Sequence, residues 1–273
     1  MLKRILNKLK RIYVSLEKLP YINWFNPFCT VYLNFRCFPI KQAILFPIYV
    51  YGRPRLFSLY GTMECIGKCY SGMVRFNQTN VGAPNLSCTN TEIDHWGKII
   101  FHGKCQIYTA NKINTGINGI IELGDCTKIM SFCNITAYSK ISIGEQSWIV
   151  HRCQVLDTNF HLIADFNNNR VKRVAHPIFI GDYCWICNST TVTGGAIIPN
   201  KTIVASNSLV GKDYSNIPEE SMIGGVPAKH IATGFRRVEN RRLEADIYRY
   251  FRENPNAEFY PLQEGVDHNC CNA

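Results

Sequence analysis

Hydrophobic positions in the second half of the chain recur every six residues. Ile180, Ile186, Val192, Ile198, Val204 and Val210 are all aliphatic and β-branched. Four places after each of the first five comes a small residue: Cys184, Thr190, Ala196, Thr202 and Ser208. Two places after each of the six comes a polar or turn-tolerant one: Asp182, Asn188, Gly194, Asn200, Ser206 and Lys212. The pattern also runs upstream through Leu123, Ile129 and Ile135, with Thr127, Cys133 and Ser139 at the small position. A two-residue insertion at Ile141–Ser142 shifts the phase, and Ile143, Ile149 and Val155 continue it. Phe101 and Ile107 extend it weakly toward the amino end. Between Val155 and Ile180 the period breaks, which predicts a loop over 157–177.

A period of six suits neither a helix nor a two-faced strand. It suits a short strand, a corner and another short strand. The aliphatic residue points inward, and the small residue lets the next corner pack closely. Asn, Gly and Asp accept the backbone angles of the corner. Stacked coils of this kind form parallel ladders, a mainly β solenoid whose two ends need caps.

The flanks read as those caps. Leu2, Ile5, Leu6, Leu9, Ile12, Tyr13 and Leu16 recur at helical spacing among lysines and arginines. Residues 20–75 are aromatic and punctuated by proline, with no clear period. Arg236–Glu253 reads as a helix that Pro255 ends. The division expected is an amino-terminal helix and accessory region at 1–75, the β-helix at 76–231 and a helical tail at 232–273.

Composition narrows the classes. The chain has 273 residues, 46% of them hydrophobic, enough for a core without disulfide staples. Its longest uncharged apolar stretch, Ala43–Tyr51, is about half the roughly 20 residues of a membrane-crossing helix. The first residues are basic throughout, without a clean apolar region or cleavage site, so the expected compartment is the cytoplasm. Of 13 cysteines, Cys105, Cys133, Cys153 and Cys184 fall on the small register, where thiols are packing groups. Cys184-x2-Cys187 finds only a poor second half in Cys65-x3-Cys69, so no zinc site is expected. Lys+Arg 30 against Asp+Glu 20 gives +10, gathered at the two ends. A basic amphipathic amino-terminal helix either lies on anionic lipid or docks on the β-helix with its charges in water. No nucleic-acid module accompanies the charge.

Three motifs then resemble one family. They are DTNFH at Asp157–His161, PIFIGDYCWIC at Pro177–Cys187 and IGGVPAKHI at Ile223–Ile231. The stretch 120–231 resembles the hexapeptide-repeat acyltransferases, and within them the sugar and polysaccharide O-acetyltransferases. The resemblance implies a left-handed parallel β-helix, a homotrimer, acetyl-CoA as acyl donor and a saccharide acceptor. It implies His161 as the general base, a role that an imidazole suits near neutral pH. Asp157, four residues earlier, either caps a corner turn or fixes the imidazole tautomer. Asn159 is a further candidate for the acceptor. Trp185, one place before inward Ile186, points outward. By resemblance it lines the cleft between subunits, and as a bare aromatic it serves equally as an interface residue.

The resemblance places the donor along Gly194, Gly195, Ala205 and Ser206, with Lys212 and Lys229 for the phosphates. Cys187 stands where the family usually has Gly, Asn159 where it often has a second Asp, and Gly225–Val226 where G-N is commoner. His151 falls at a corner and is read as facing the acceptor pocket. Some proteins of this repeat bind zinc through three histidines, but His151, His161 and His176 lack their His-x4-His spacing. Two alternatives remain at this stage: another acyl-CoA or an amino-sugar or antibiotic acceptor on the same fold, and a non-catalytic repeat scaffold.

Overall fold

A computed structural model describes residues 19–80, 89–262 and 271. The amphipathic pattern from Leu2 to Leu16 lies outside the described residues. The rest winds into a three-sided parallel β-helix. Wall I has nine strands, wall II seven and wall III six, and the chain visits them in the order I, II, III in each coil. The aliphatic register fills the interior: Ile129, Ile135, Ile141, Ile149, Val155, Ile186, Val192 and Val210 are all buried.

The insertion at Ile141–Ser142 has a structural cause. Wall III strands of the first five coils carry two inward residues each, Ile141 and Ile143 being one such pair. Their partners one coil earlier are Ile121 and Leu123. Coils that carry this longer side exceed three repeats of six. In the last coils, Ile180 pairs with Ile198 and Ile186 with Val204, strict repeats of six without the extra residues.

The ladders begin earlier than position 76. Ile48–Val50 already pairs in parallel with Val74–Phe76, so most of the aperiodic region 20–75 builds the first coil and its lid. The lid is helix α1 (Pro27–Cys37) followed by the short α2 (Ile40–Ala43). Asn26 caps α1 by accepting from the Cys29 amide, as a short polar side chain does at that position. Leu33, fully buried, plugs the end of the core. The Asn34 amide donates to the Ile48 carbonyl while its oxygen accepts from the Ile48 N–H. Thr30 accepts from the Val50 N–H. α1 therefore satisfies the edge that the first strand would leave open.

At the other end Ala228–Thr233 folds back antiparallel on Ser221–Gly225 and closes wall I. The tail departs from the sequence expectation. Its helix, α3, spans Arg241–Glu253 rather than starting at Arg236. Asn240 accepts from the amides of Arg242 and Leu243 and so sets the start, leaving Arg236–Val238 non-helical ahead of it. Among the described residues, no helix is long and apolar enough to cross a membrane.

Candidate active site

The predicted groups divide among the edges of the prism. The edge between walls II and III carries Asp157, Asn159, His161, Gly194, Gly195 and Lys212. The edge between walls I and II carries His151, Ala205 and Ser206. Trp185 lies on wall I, and Lys229 on its closing strand.

At the II/III edge the chain leaves the repeat after Gln154–Leu156 and returns at Ile178–Ile180. The excursion holds a small antiparallel ribbon, Ile163–Asp165 with Arg170–Lys172. Its base is pinned: Thr158 bridges Ala175, and the His176 N–H donates to the Asp157 carbonyl. Asp157 is 1% exposed, yet its side chain does not reach outward. Its two oxygens accept from the amides of Tyr138 and Ser139, at 2.8 and 2.6 Å. Burial raises its carboxyl above the ordinary range despite these bonds, which pull the other way. The carboxylate thus fastens the corner of the preceding coil, the turn-capping reading of this residue. The alternative contact with the imidazole is not formed.

His161 is exposed, and its ring makes no hydrogen bond among the described residues. Its backbone N–H donates to the Asn159 side chain at 3.3 Å. The turn before it is left-handed at Phe160, whose φ is 63°. The Phe160 ring packs edge-on against Tyr138 at 5.4 Å. One coil on, the glycine pair leaves space. A side chain at Gly194 would strike the Asp157 carbonyl at 2.6 Å, so only glycine lets that coil pass under the loop's departure. Gly195, at φ +90°, has nothing within 4 Å of where a Cβ would sit. An imidazole in solvent therefore stands on the same edge as an open stretch of backbone. Lys212, next along that edge, is exposed and lies over the Tyr214 ring at 5.2 Å.

The other candidates sit in tighter surroundings. His151 is half-buried, and burial lowers its imidazole below the usual value. Its carbonyl accepts from the Ser189 N–H across the corner. Trp185 pairs in the wall I ladder with Trp148. The Arg237 guanidinium lies 3.4 Å from the Trp148 ring centre and 5.3 Å from that of Trp185. Trp148 was legible, since it precedes inward Ile149 as Trp185 precedes Ile186. Arg237 carries no periodic signal in the tail.

No family model matches the chain. It is 31% identical over 165 residues to an uncharacterised 24.8 kDa protein in the cps region of Klebsiella pneumoniae, covering 58% of this chain and 72% of that one. It is 26% identical over 149 residues to Escherichia coli K12 WbbJ, covering 46% of this chain and 74% of WbbJ. WbbJ is provisionally named a lipopolysaccharide biosynthesis O-acetyl transferase. Among solved structures, the polySia specific acetyltransferase NeuO superposes with a TM-score of 0.42 at 19% identity, over 76% of this chain and 96% of that one.

Proposed function

The chain belongs to the hexapeptide-repeat family of sugar O-acetyltransferases, and from that premise we propose that it moves acetyl from acetyl-CoA to a hydroxyl of a surface saccharide, with His161 as the base. The observation that carries the assignment is the II/III edge, where exposed His161 shares a border with the open backbone at Gly195. His161 takes the proton of the acceptor hydroxyl as its oxygen attacks the thioester carbonyl. The carbon–sulfur bond then breaks, and the imidazolium returns the proton to the thiolate. No covalent intermediate on the protein is required. Asp157 acts here as a positioning residue, holding the corner from which the loop departs.

A homotrimer accounts for the divided site. Ala205 and Ser206 stand on a different edge from His161, so a donor running past all of them calls for two copies side by side. His151, Asn159 and Trp185 are assigned to the acceptor, and Gly194, Gly195, Ala205, Ser206, Lys212 and Lys229 to the donor. The proposed setting is the cytoplasm, with the basic amino-terminal segment at the inner face of the membrane. The exposed Phe28, Tyr32 and Phe35 on the lid, and Trp24 just before it, support that contact. Flotation with anionic vesicles tests it, and protein that stays at the bottom of the gradient overturns it.

The enzymatic reading is tested by incubating the full chain with labelled acetyl-CoA and a panel of surface glycans and nucleotide sugars. Label in an alkali-labile ester is expected. Absence of transfer to every glycan, together with no binding of acetyl-CoA by calorimetry, overturns the reading.

A further inference from the structure

Wall I carries a cleft that acetyl transfer leaves without a role. The outer face of the wall and the segment from Arg237 to Glu244 enclose about 750 Å³. Arg75, Lys104, Lys128, Arg237, Arg241 and Arg242 line it, against only two carboxylates. One of these, Glu239, is taken up by Arg237 at 3.1 Å. Among the described residues, none of the other five cations is in an ion pair.

Like charges gathered in a partly enclosed space repel one another, and the low local dielectric strengthens the repulsion. Lys128 registers this: burial, and then the charge of Arg237 and Arg241, pull its ammonium down to about 8. A second sign comes from Trp148. Its ring is covered by the Lys128 ammonium at 3.7 Å and the Arg237 guanidinium at 3.4 Å. Its Nε1 is shut away from solvent with no hydrogen-bond partner, an uncommon state for an indole donor. An anion that draws the two cations off the ring relieves their repulsion and offers this N–H an acceptor. Neutral sugar offers only the second.

The cleft lies on wall I, across the prism from the II/III edge that carries His161. We propose that it binds a saccharide chain bearing carboxylate groups, and so holds an anionic acceptor polymer away from the reacting hydroxyl. The ligand's being a saccharide rests on the acetyltransferase reading; the demand for an anion does not.

Affinity electrophoresis of the full chain tests this, with polygalacturonate as the acidic polymer and dextran as the neutral one. Polygalacturonate is expected to retard the chain and dextran to leave it unmoved. The Lys128→Gln/Arg241→Gln variant is expected to lose about five-fold in retardation, with a steeper loss in low salt. Arg75→Gln, an exposed position on the far side of the cleft, checks the result should the double variant fold poorly. Arg252→Gln, outside the cleft on α3, is expected to change nothing. Equal retardation by dextran, no retardation at all, or an equal loss in Arg252→Gln overturns the proposal. So does displacement of the polymer by pyrophosphate or CoA at equal charge concentration, which would make the cleft a phosphate site. His161→Ala separates the two readings: transfer is lost while retardation persists.

Discussion

The three edges of the prism are closed by two different devices. At the III/I edge a stack of short side chains donates to the carbonyls of the following coil. Cys105 bonds Gly124, Thr127 bonds Gly144, Ser147 bonds Gly181 and Cys184 bonds Pro199. The I/II edge repeats the arrangement, with Thr91 to Tyr108, Cys133 to Val150, Cys153 to Cys187 and Thr190 to Ala205. Thiol and hydroxyl alternate freely because either fits the space and supplies one donor. At the II/III edge the equivalent column runs His95, Thr115, Ala137, Asp157, Gly194. No single donor type serves it. Two buried ionisable groups and a glycine take individual roles, and the chain breaks out into the loop that carries His161. Repetition marks the edges whose inward corner side chains are taken up in holding one coil to the next, and its loss marks the edge that carries the candidate base.

The largest expected effect falls on the exposed member of the third edge. His161→Ala is expected to cut the turnover of labelled acetyl-CoA by about 10²–10⁴-fold, the range for loss of a general base. Its unfolding midpoint should stay put, since the ring makes no hydrogen bond among the described residues. Retention of full transfer would remove His161 from the reaction. Next comes His95, fully buried, its ring held between the Thr115 hydroxyl and the Thr62 carbonyl. Burial lowers its imidazole to about 4. The unfolded chain protonates it near the ordinary 6.5, so between these values the unfolded state binds more protons. Stability therefore falls as pH drops from about 6.5 to 4, by at most about 3 kcal/mol, and this contribution levels off below that. Urea titrations across this range should show the slope in the wild type and a flatter one in His95→Gln. Identical slopes would mean the ring is not the group responsible.

Asp157 comes third. Asp157→Ala leaves the amides of Tyr138 and Ser139 without this acceptor and should cost about 2 kcal/mol, while Asp157→Asn restores part of it. A drop in kcat well beyond ten-fold in Asp157→Asn, with stability kept, would instead put this carboxylate on the imidazole during turnover. The same residue shows where sequence reasoning stops. Spacing placed Asp157 at a corner next to His161, and both functions of a corner carboxylate were open. Only the fold shows that the neighbouring coil turns its two amides toward it. Interior positions were legible because each aliphatic residue meets the same neighbours in every coil. The lid was not, since Asn34 and Thr30 satisfy the strand edge through contacts that occur once. Arg237 was hidden for the same reason: an extended tail crosses wall I at a place fixed by where Asn240 starts α3.

The smallest effect belongs to the repeating edges and tests their equivalence. Cys184 is fully buried, and its thiol donates to the Pro199 carbonyl at 3.1 Å. Burial pushes the thiol up to about 12, so it stays protonated and remains a donor near neutral pH. Cys184→Ser keeps a donor of similar size and should change the urea unfolding free energy by less than about 1 kcal/mol. Cys184→Ala removes the donor and should cost about 1 kcal/mol, because the Pro199 carbonyl loses that partner. Neither should alter acetyl transfer by more than the accompanying fraction unfolded. A Cys184→Ser variant that stays folded but loses activity would break the division between closed and working edges, since it would tie a repeating corner to the chemistry.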